Sequence, residues 1–235
     1  MTEPMLSVKD LNAFYGKSHV LRGVNMEIMP GEVIALLGRN GVGRSTTAKA
    51  IMGEVAPKGE ITFKGQMISG LESHKIARLG LGYVPEERDI FPTMTVRQNL
   101  LMGIKDTRNP GKHTIEEMLD MFPNLRARAD NAAGVLSGGE KQMLTMCRTL
   151  MGDPDLIIID EPTEGLAPKI VQQIGDMIAE IAKTGVAILL VEQKLSIALR
   201  IAHRVYVMGH GEIVYGGTPE DFATRDDVRA EWLEV

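Results

Sequence analysis

Three stretches of the chain carry residue types whose spacing points to phosphate chemistry. The first is "LLGRNGVGRSTTAKAIMG", Leu36 to Gly53. Gly38, Gly41 and Gly43 permit backbone conformations in which consecutive N–H groups converge on phosphate oxygens, with a helix N-terminus behind them adding partial positive charge. The stretch fits the pattern G-x-x-x-x-G-K-[ST] except at Arg44, where the pattern asks for lysine. Ser45 offers a hydroxyl to Mg2+, and Asn40 and Thr46 join the expected nucleotide contacts of the loop. The second stretch, "LIIIDEP", is an apolar strand ending in Asp160 and Glu161. Two adjacent carboxylates there are costly to bury unless a cation or a reaction needs them. Asp160 suits an outer-sphere partner of Mg2+, and Glu161 suits the group that polarises an attacking water. The third, "LSGGEKQ", opens a helix with Ser137, Gly138 and Gly139, a second anion cradle made of hydroxyl and backbone donors. One chain rarely needs two such helix starts, whereas two copies packed head to tail would close the second of one over the first of the other.

The elements that must position these residues are readable from periodicity. In "GVNMEIMPGE", Val24, Met26 and Ile28 share one face and Asn25 and Glu27 the other, the alternation of a half-buried strand, and Pro30–Gly31 then reads as a tight turn. "EVIALLG" is a continuous apolar run entering the glycine loop, and a helix is expected from about Arg44 to Met52. From about Thr93 to Gly152 the spacing becomes helical, as in Ile115, Met118, Leu119 and Phe122. Apolar strands return in "DLIIID" and "VAILLVE", separated by the helical "PKIVQQIGDMIAEIAKTG" and followed by the helical "LSIALRIAH". Strands apolar throughout and joined by helices indicate a parallel sheet covered on both faces. The expectation is an α/β core with a helical insertion. The many methionines of that insertion, among them Met94, Met102, Met118, Met121, Met143, Met146 and Met151, fit either core filling or an adaptable docking surface.

Composition bounds the rest. At 235 residues, with 44% apolar and 24% charged residues, the chain can bury a full core as one large domain. A net charge of −5 gives no electrostatic footprint for nucleic acid, so no nucleic-acid partner is expected. The lone Cys147 excludes an intrachain disulfide, suits a reducing compartment, and reads as a small buried apolar residue. The N-terminus shows no secretory signal, and the longest apolar runs fall far short of the ~20 residues a membrane helix needs. A soluble, cytoplasmic chain that meets a membrane only through partners is expected.

The "LSGG" motif between the glycine loop and the Asp–Glu pair resembles the ATP-binding subunits of ABC transporters, whose signature reads LSGGQ, here with Glu140 in the last place. The resemblance covers essentially the whole chain. It implies a P-loop NTPase core, a mixed sheet flanked by helices, with an N-terminal antiparallel β portion and an α-helical insertion. The chain would be a single domain, 1–235, with its core at about 1–85 and 153–235 and the helical subdomain at about 86–152. The resemblance also implies ATP and Mg2+ as ligands. It carries over Tyr15 as the ring stacked on adenine, Glu86 at the position of the glutamine that reaches Mg2+ and water, and Gln193 where most members have the histidine that contacts the γ-phosphate. Glu86 with "FPTMTVRQNL", "TEGLAP" and "VEQ" look like the ATPases of bacterial importers for branched-chain amino acids, urea and short amides. Implied partners are a second ATPase subunit, in a homo- or heterodimer, two transmembrane permease subunits gripped by the segment after Glu86, and an external solute-binding protein. The implied location is the cytoplasmic face of the inner membrane, held through the permease. Rival readings are an exporter ATPase, against which Gln193 counts, a soluble ABC protein acting on ribosomes or DNA, and a non-catalytic binding module. Arg44 departs even from the importer subfamily: its fork keeps the charge but repositions it, so nucleotide binding should largely survive while turnover is slowed.

Overall fold

The protein is described by a computed structural model covering residues 3–106, 108 and 111–233. The chain runs β1 (Leu6–Tyr15), β2 (Ser18–Ile28), β3 (Val33–Leu37), α1 (Arg44–Ile51), β4 (Pro57–Phe63), β5 (Gln66–Met67), α2 (Ser73–Arg78) and β6 (Leu81–Val84). A helical stretch follows: α3 (Val96–Leu101), α4 (Ile115–Met121), α5 (Pro123–Arg126) and α6 (Gly138–Leu150). The chain then returns to alternation with β7 (Leu156–Asp160), α7 (Pro168–Lys183), β8 (Ala187–Glu192), α8 (Leu195–Ile201), β9 (Arg204–Gly209), β10 (Glu212–Gly217), α9 (Pro219–Ala223) and α10 (Asp226–Trp232).

Two sheets form. One is four-stranded and antiparallel, in the order β2-β1-β4-β5; the other is six-stranded, in the order β10-β9-β3-β8-β7-β6. In the larger sheet β9, β3, β8, β7 and β6 are parallel, and β10 is an antiparallel edge. The continuous apolar character of β7 follows from its surroundings. Successive side chains point to opposite faces, so Leu156 and Ile158 join the cluster shared with β1 and α1, while Ile157 and Ile159 join the cluster shared with α6 and α7. Both faces are covered, and neither leaves room for a polar alternation. On α7, Ile174, Met177, Ile178 and Ile181 recur at helical spacing and are buried, and Pro168 sits in the first turn where its missing N–H is harmless.

The expected strands at 24–28, 33–37, 156–160 and 187–192 and the helices at 44–51, 168–183 and 195–201 are all present. The β9–β10 hairpin was not anticipated. The insertion's methionines divide: Met118, Met143, Met146 and Met151 are core, whereas Met102 and Met121 are exposed. Cys147 is fully buried, and burial pushes its thiol well above the ordinary range. No helix among the described residues is long and apolar enough to cross a membrane.

Candidate nucleotide site

The carboxyl ends of parallel strands form the crevice where α/β sheets bind ligands, and the chemistry-bearing residues gather there. β3 ends in the glycine loop, β7 in Asp160–Glu161, β8 in Glu192–Gln193, and β6 leads to Glu86. The loop's shape depends on glycine at its last position. Gly43, at φ 113°, caps α1, and a Cβ there would stand 2.7 Å from Leu21 Cδ2. A cavity of about 280 Å³ is lined by Asn40, Gly41, Gly43, Arg44, Ser45 and Thr46 on one side and by Glu86, Glu161 and Glu164 on the other, with Val20 at its edge.

Asp160 and Glu161 are buried, at 1% and 8% exposure. Asp160 accepts hydrogen bonds from the Ser45 hydroxyl at 3.1 Å and the Tyr83 hydroxyl at 3.4 Å. Burial raises its pKa, opposed by Ser45 and Arg44. Glu161 adopts a left-handed φ of 43°, a conformation that costs a non-glycine residue about 1 kcal/mol or more. Its N–H donates to the Val191 carbonyl at 2.9 Å, which anchors the backbone to β8. Burial pushes the Glu161 carboxyl up to about 7; Arg44 pulls it down, while a hydrogen bond and repulsion from Glu164, with Glu86 beyond, add to the rise. The Glu86 carboxyl is raised in the same way, first by burial and then by its hydrogen bond with Glu164.

The cation that makes this burial tolerable is Arg44. Its Nη2 donates to Glu161 Oε1 at 2.6 Å and to Asn40 Oδ1 at 3.0 Å, and the side chains of the ion pair are only 3% and 10% exposed. The sequence predicts that Arg44 keeps the charge of the loop in a repositioned fork; in the structure one end of that fork already holds a carboxylate. The other end, Nη1, is buried and has no hydrogen-bond partner among the described residues. An orphan donor on a residue that lines the cavity suits an anionic ligand such as a triphosphate. The Ser45–Asp160 pair fits Mg2+, which takes few protein ligands and completes its shell with phosphate oxygens and water.

Not every expected residue lies at this cavity. Tyr15 is 51% exposed, Gln193 is exposed beyond the end of β8, and none of Tyr15, Gln193, Ser137, Gly138 or Gly139 belongs to its lining. Ser137 caps α6, accepting from the Glu140 N–H at 3.4 Å, while Glu140 Oε2 accepts from the Ser137 N–H at 2.8 Å. Such a box takes glutamate as readily as glutamine, which accounts locally for Glu140. A Cβ on Gly139 would stand 2.5 Å from Ile170 Cγ2, so this glycine lets α6 close onto α7.

Sequence reasoning gave no site role to three residues. Glu192, 3% exposed, accepts from the Thr163 hydroxyl at 2.6 Å and from the Lys194 N–H at 3.2 Å, tying the turn after Glu161 to β8. Its signal, an acid ending an apolar strand, is the same one that marked Asp160. Asn99 is fully buried, accepting from the Phe91 N–H at 2.8 Å and donating to the Phe91 carbonyl at 3.0 Å, which braces the segment after Glu86. Glu164 lines the cavity, and Arg88 donates to its carbonyl.

With this geometry in view, the chain's relatives are informative. It is 39% identical over 97% of its length to the high-affinity branched-chain amino acid transport ATP-binding protein BraG of Pseudomonas aeruginosa, covering 99% of that protein. It is 32% identical to the lipopolysaccharide export system ATP-binding protein LptB of Haemophilus influenzae, over 97% of both chains. Its fold superposes with a TM-score of 0.83 on a nucleotide-free ATP-binding cassette from an ABC transporter, at 26% identity over 97% of this chain and 98% of that one. Residues 21–164 match the ABC transporter family. A phosphate cradle facing buried carboxylates across one sheet therefore has a family to go with it: the chain belongs to the ABC transporter family and carries its ATPase domain.

Proposed function

We propose that the chain is the ATP-hydrolysing subunit of an importer for branched-chain amino acids or for urea and short amides. In this reading the triphosphate lies in the loop of Gly38, Asn40, Gly41, Gly43, Arg44, Ser45 and Thr46, with adenine against Tyr15. Ser45 and Asp160 would hold Mg2+, with Glu86 in reach of it, and the ion would neutralise charge on the phosphate oxygens. Glu161 orients and deprotonates water, with Gln193 facing the γ-phosphate. The observation that carries the reading is the single cavity bounded by the glycine loop on one wall and by Glu86 and Glu161 on the other.

Ser137, Gly138 and Gly139 lie outside that cavity, which supports a composite site completed by a second ATPase subunit packed head to tail. Closure around ATP and reopening after hydrolysis would drive the permease. A groove of about 480 Å³ between the core and the helical stretch, lined in part by Tyr83, Phe91, Met102 and Arg148, supports docking of a transmembrane permease subunit there. Phe91, Leu101 and Met102 are exposed at 43%, 47% and 56%, unusually high for apolar side chains clustered on one segment. The helices α3–α6 between β6 and β7 support the division into a core at about 1–85 and 153–235 and a subdomain at about 86–152. An importer would add a second permease subunit and an external solute-binding protein, with this chain at the cytoplasmic face of the inner membrane.

The match to the lipopolysaccharide exporter ATPase favours one alternative, the same engine with a lipid cargo. Deleting the chain separates the two. The importer reading predicts loss of energised uptake of leucine, isoleucine and valine, or of urea and acetamide. Unchanged uptake of all of these, with lipopolysaccharide retained at the inner membrane, would overturn it in favour of export.

A further inference from the structure

We propose that Arg44 is a positioning residue for Glu161, clamping its carboxylate in the nucleotide-free chain and releasing it when nucleotide phosphates take the guanidinium. The inference rests on the reading of Glu161 as the water-activating group and of Gly38–Ser45 as the phosphate cradle.

Three observations carry it. The two protons of Arg44 Nη2 are both committed, one to Glu161 Oε1 at 2.6 Å and one to Asn40 Oδ1 at 3.0 Å. Nη1 of the same side chain is buried without a partner, on a residue that lines the cavity. The Glu161 backbone is fixed independently, by its N–H bond to Val191 and its left-handed φ, so releasing the carboxylate moves a side chain and leaves β7 in place. Guanidinium chemistry explains why arginine can do this. Its planar fork presents two separate nitrogens, so one can hold a carboxylate while the other waits for an anion; a lysine ammonium has a single nitrogen. Entering phosphates offer oxygens to both ends of the fork and carry more charge than one carboxylate, so the exchange favours the ligand. Glu161 is then freed only when nucleotide is present. The water-activating group would be restrained in an empty site and delivered by the nucleotide itself.

The test is a cycle of ADP dissociation constants, which need no turnover, measured by calorimetry at pH 8 on the full chain. The four proteins are wild type, Glu161→Gln, Arg44→Gln and the double variant. If the clamp exists, Glu161→Gln tightens ADP binding about tenfold with arginine at 44, because the nucleotide no longer competes with a charged hydrogen bond. With glutamine at 44 the same change has little effect. Equal tightening in both backgrounds would reduce the effect to general repulsion between Glu161 and the phosphates, and no tightening would remove the clamp altogether. Should Arg44→Gln bind ADP too weakly to measure, denaturant unfolding of the same four proteins without nucleotide gives the answer: the clamp predicts non-additive changes in stability, and additive changes overturn it. Wild-type turnover by Glu161→Gln would instead discard the role of Glu161 while leaving the clamp's binding signature intact, so the two failures are distinguishable.

Discussion

Arg44, the residue that departs from the glycine-loop pattern, meets the proposed water-activating group at Glu161. Arg44 lies 117 positions earlier and still reaches it at 2.6 Å, a contact that exists only because β3 and β7 flank β8 in the sheet. The acidity of Glu161 gives a prediction with a definite sign. Its folded pKa of about 7 exceeds its ordinary 4.5, so folding disfavours the ionised form. The penalty is full above pH 7 and vanishes below 4.5. Unfolding experiments on the nucleotide-free chain should therefore show wild type gaining stability relative to Glu161→Gln as pH falls from about 8 to about 5. A stability difference that is flat or of the opposite slope would mean that burial does not dominate at this carboxyl.

At the scale of elements, periodicity made much of the frame legible. The alternation of Val24, Met26 and Ile28 and the unbroken apolar runs of β3, β7 and β8 each correspond to a burial pattern that sheet geometry imposes. The β9–β10 hairpin was not legible. Its edge strand alternates exposed and half-buried residues and ends in glycines, so no apolar run announces it. Although their mutual contact spans 117 positions, the glycine loop and the Asp–Glu pair could be placed because each is a contiguous motif. Glu192 and Asn99 could not, since their partners, Thr163 and Phe91, come from other segments. Asn99 gives this scale its prediction. Asn99→Ala strips the Phe91 N–H and carbonyl of their partner in a fully buried site. It should cost about 1–3 kcal/mol in chemical denaturation and leave nucleotide binding in place. A loss within a few tenths of a kcal/mol would mean that the bracing is dispensable.

For the whole molecule, the decisive feature is that its two anion cradles do not share a cavity. The exposed Ser137 at the start of α6 stands apart from the loop that Arg44 closes. In the proposed composite site each cradle would supply what the other lacks, through a head-to-tail pair. ATP added to Glu161→Gln, which should bind without turning over, is expected to double the mass seen by light scattering. Ser137→Ala in that background should weaken the shift while costing the fold only about 1 kcal/mol for the lost cap. The account as a whole turns on the chemistry of one carboxylate. The most direct measurement is phosphate release from Mg-ATP by wild type and by Glu161→Gln under conditions where both bind the nucleotide. The expected result is a fall of about a hundredfold or more on replacing Glu161, with ATP bound at least as tightly. Phosphate release at the wild-type rate from Glu161→Gln would contradict the account at its centre.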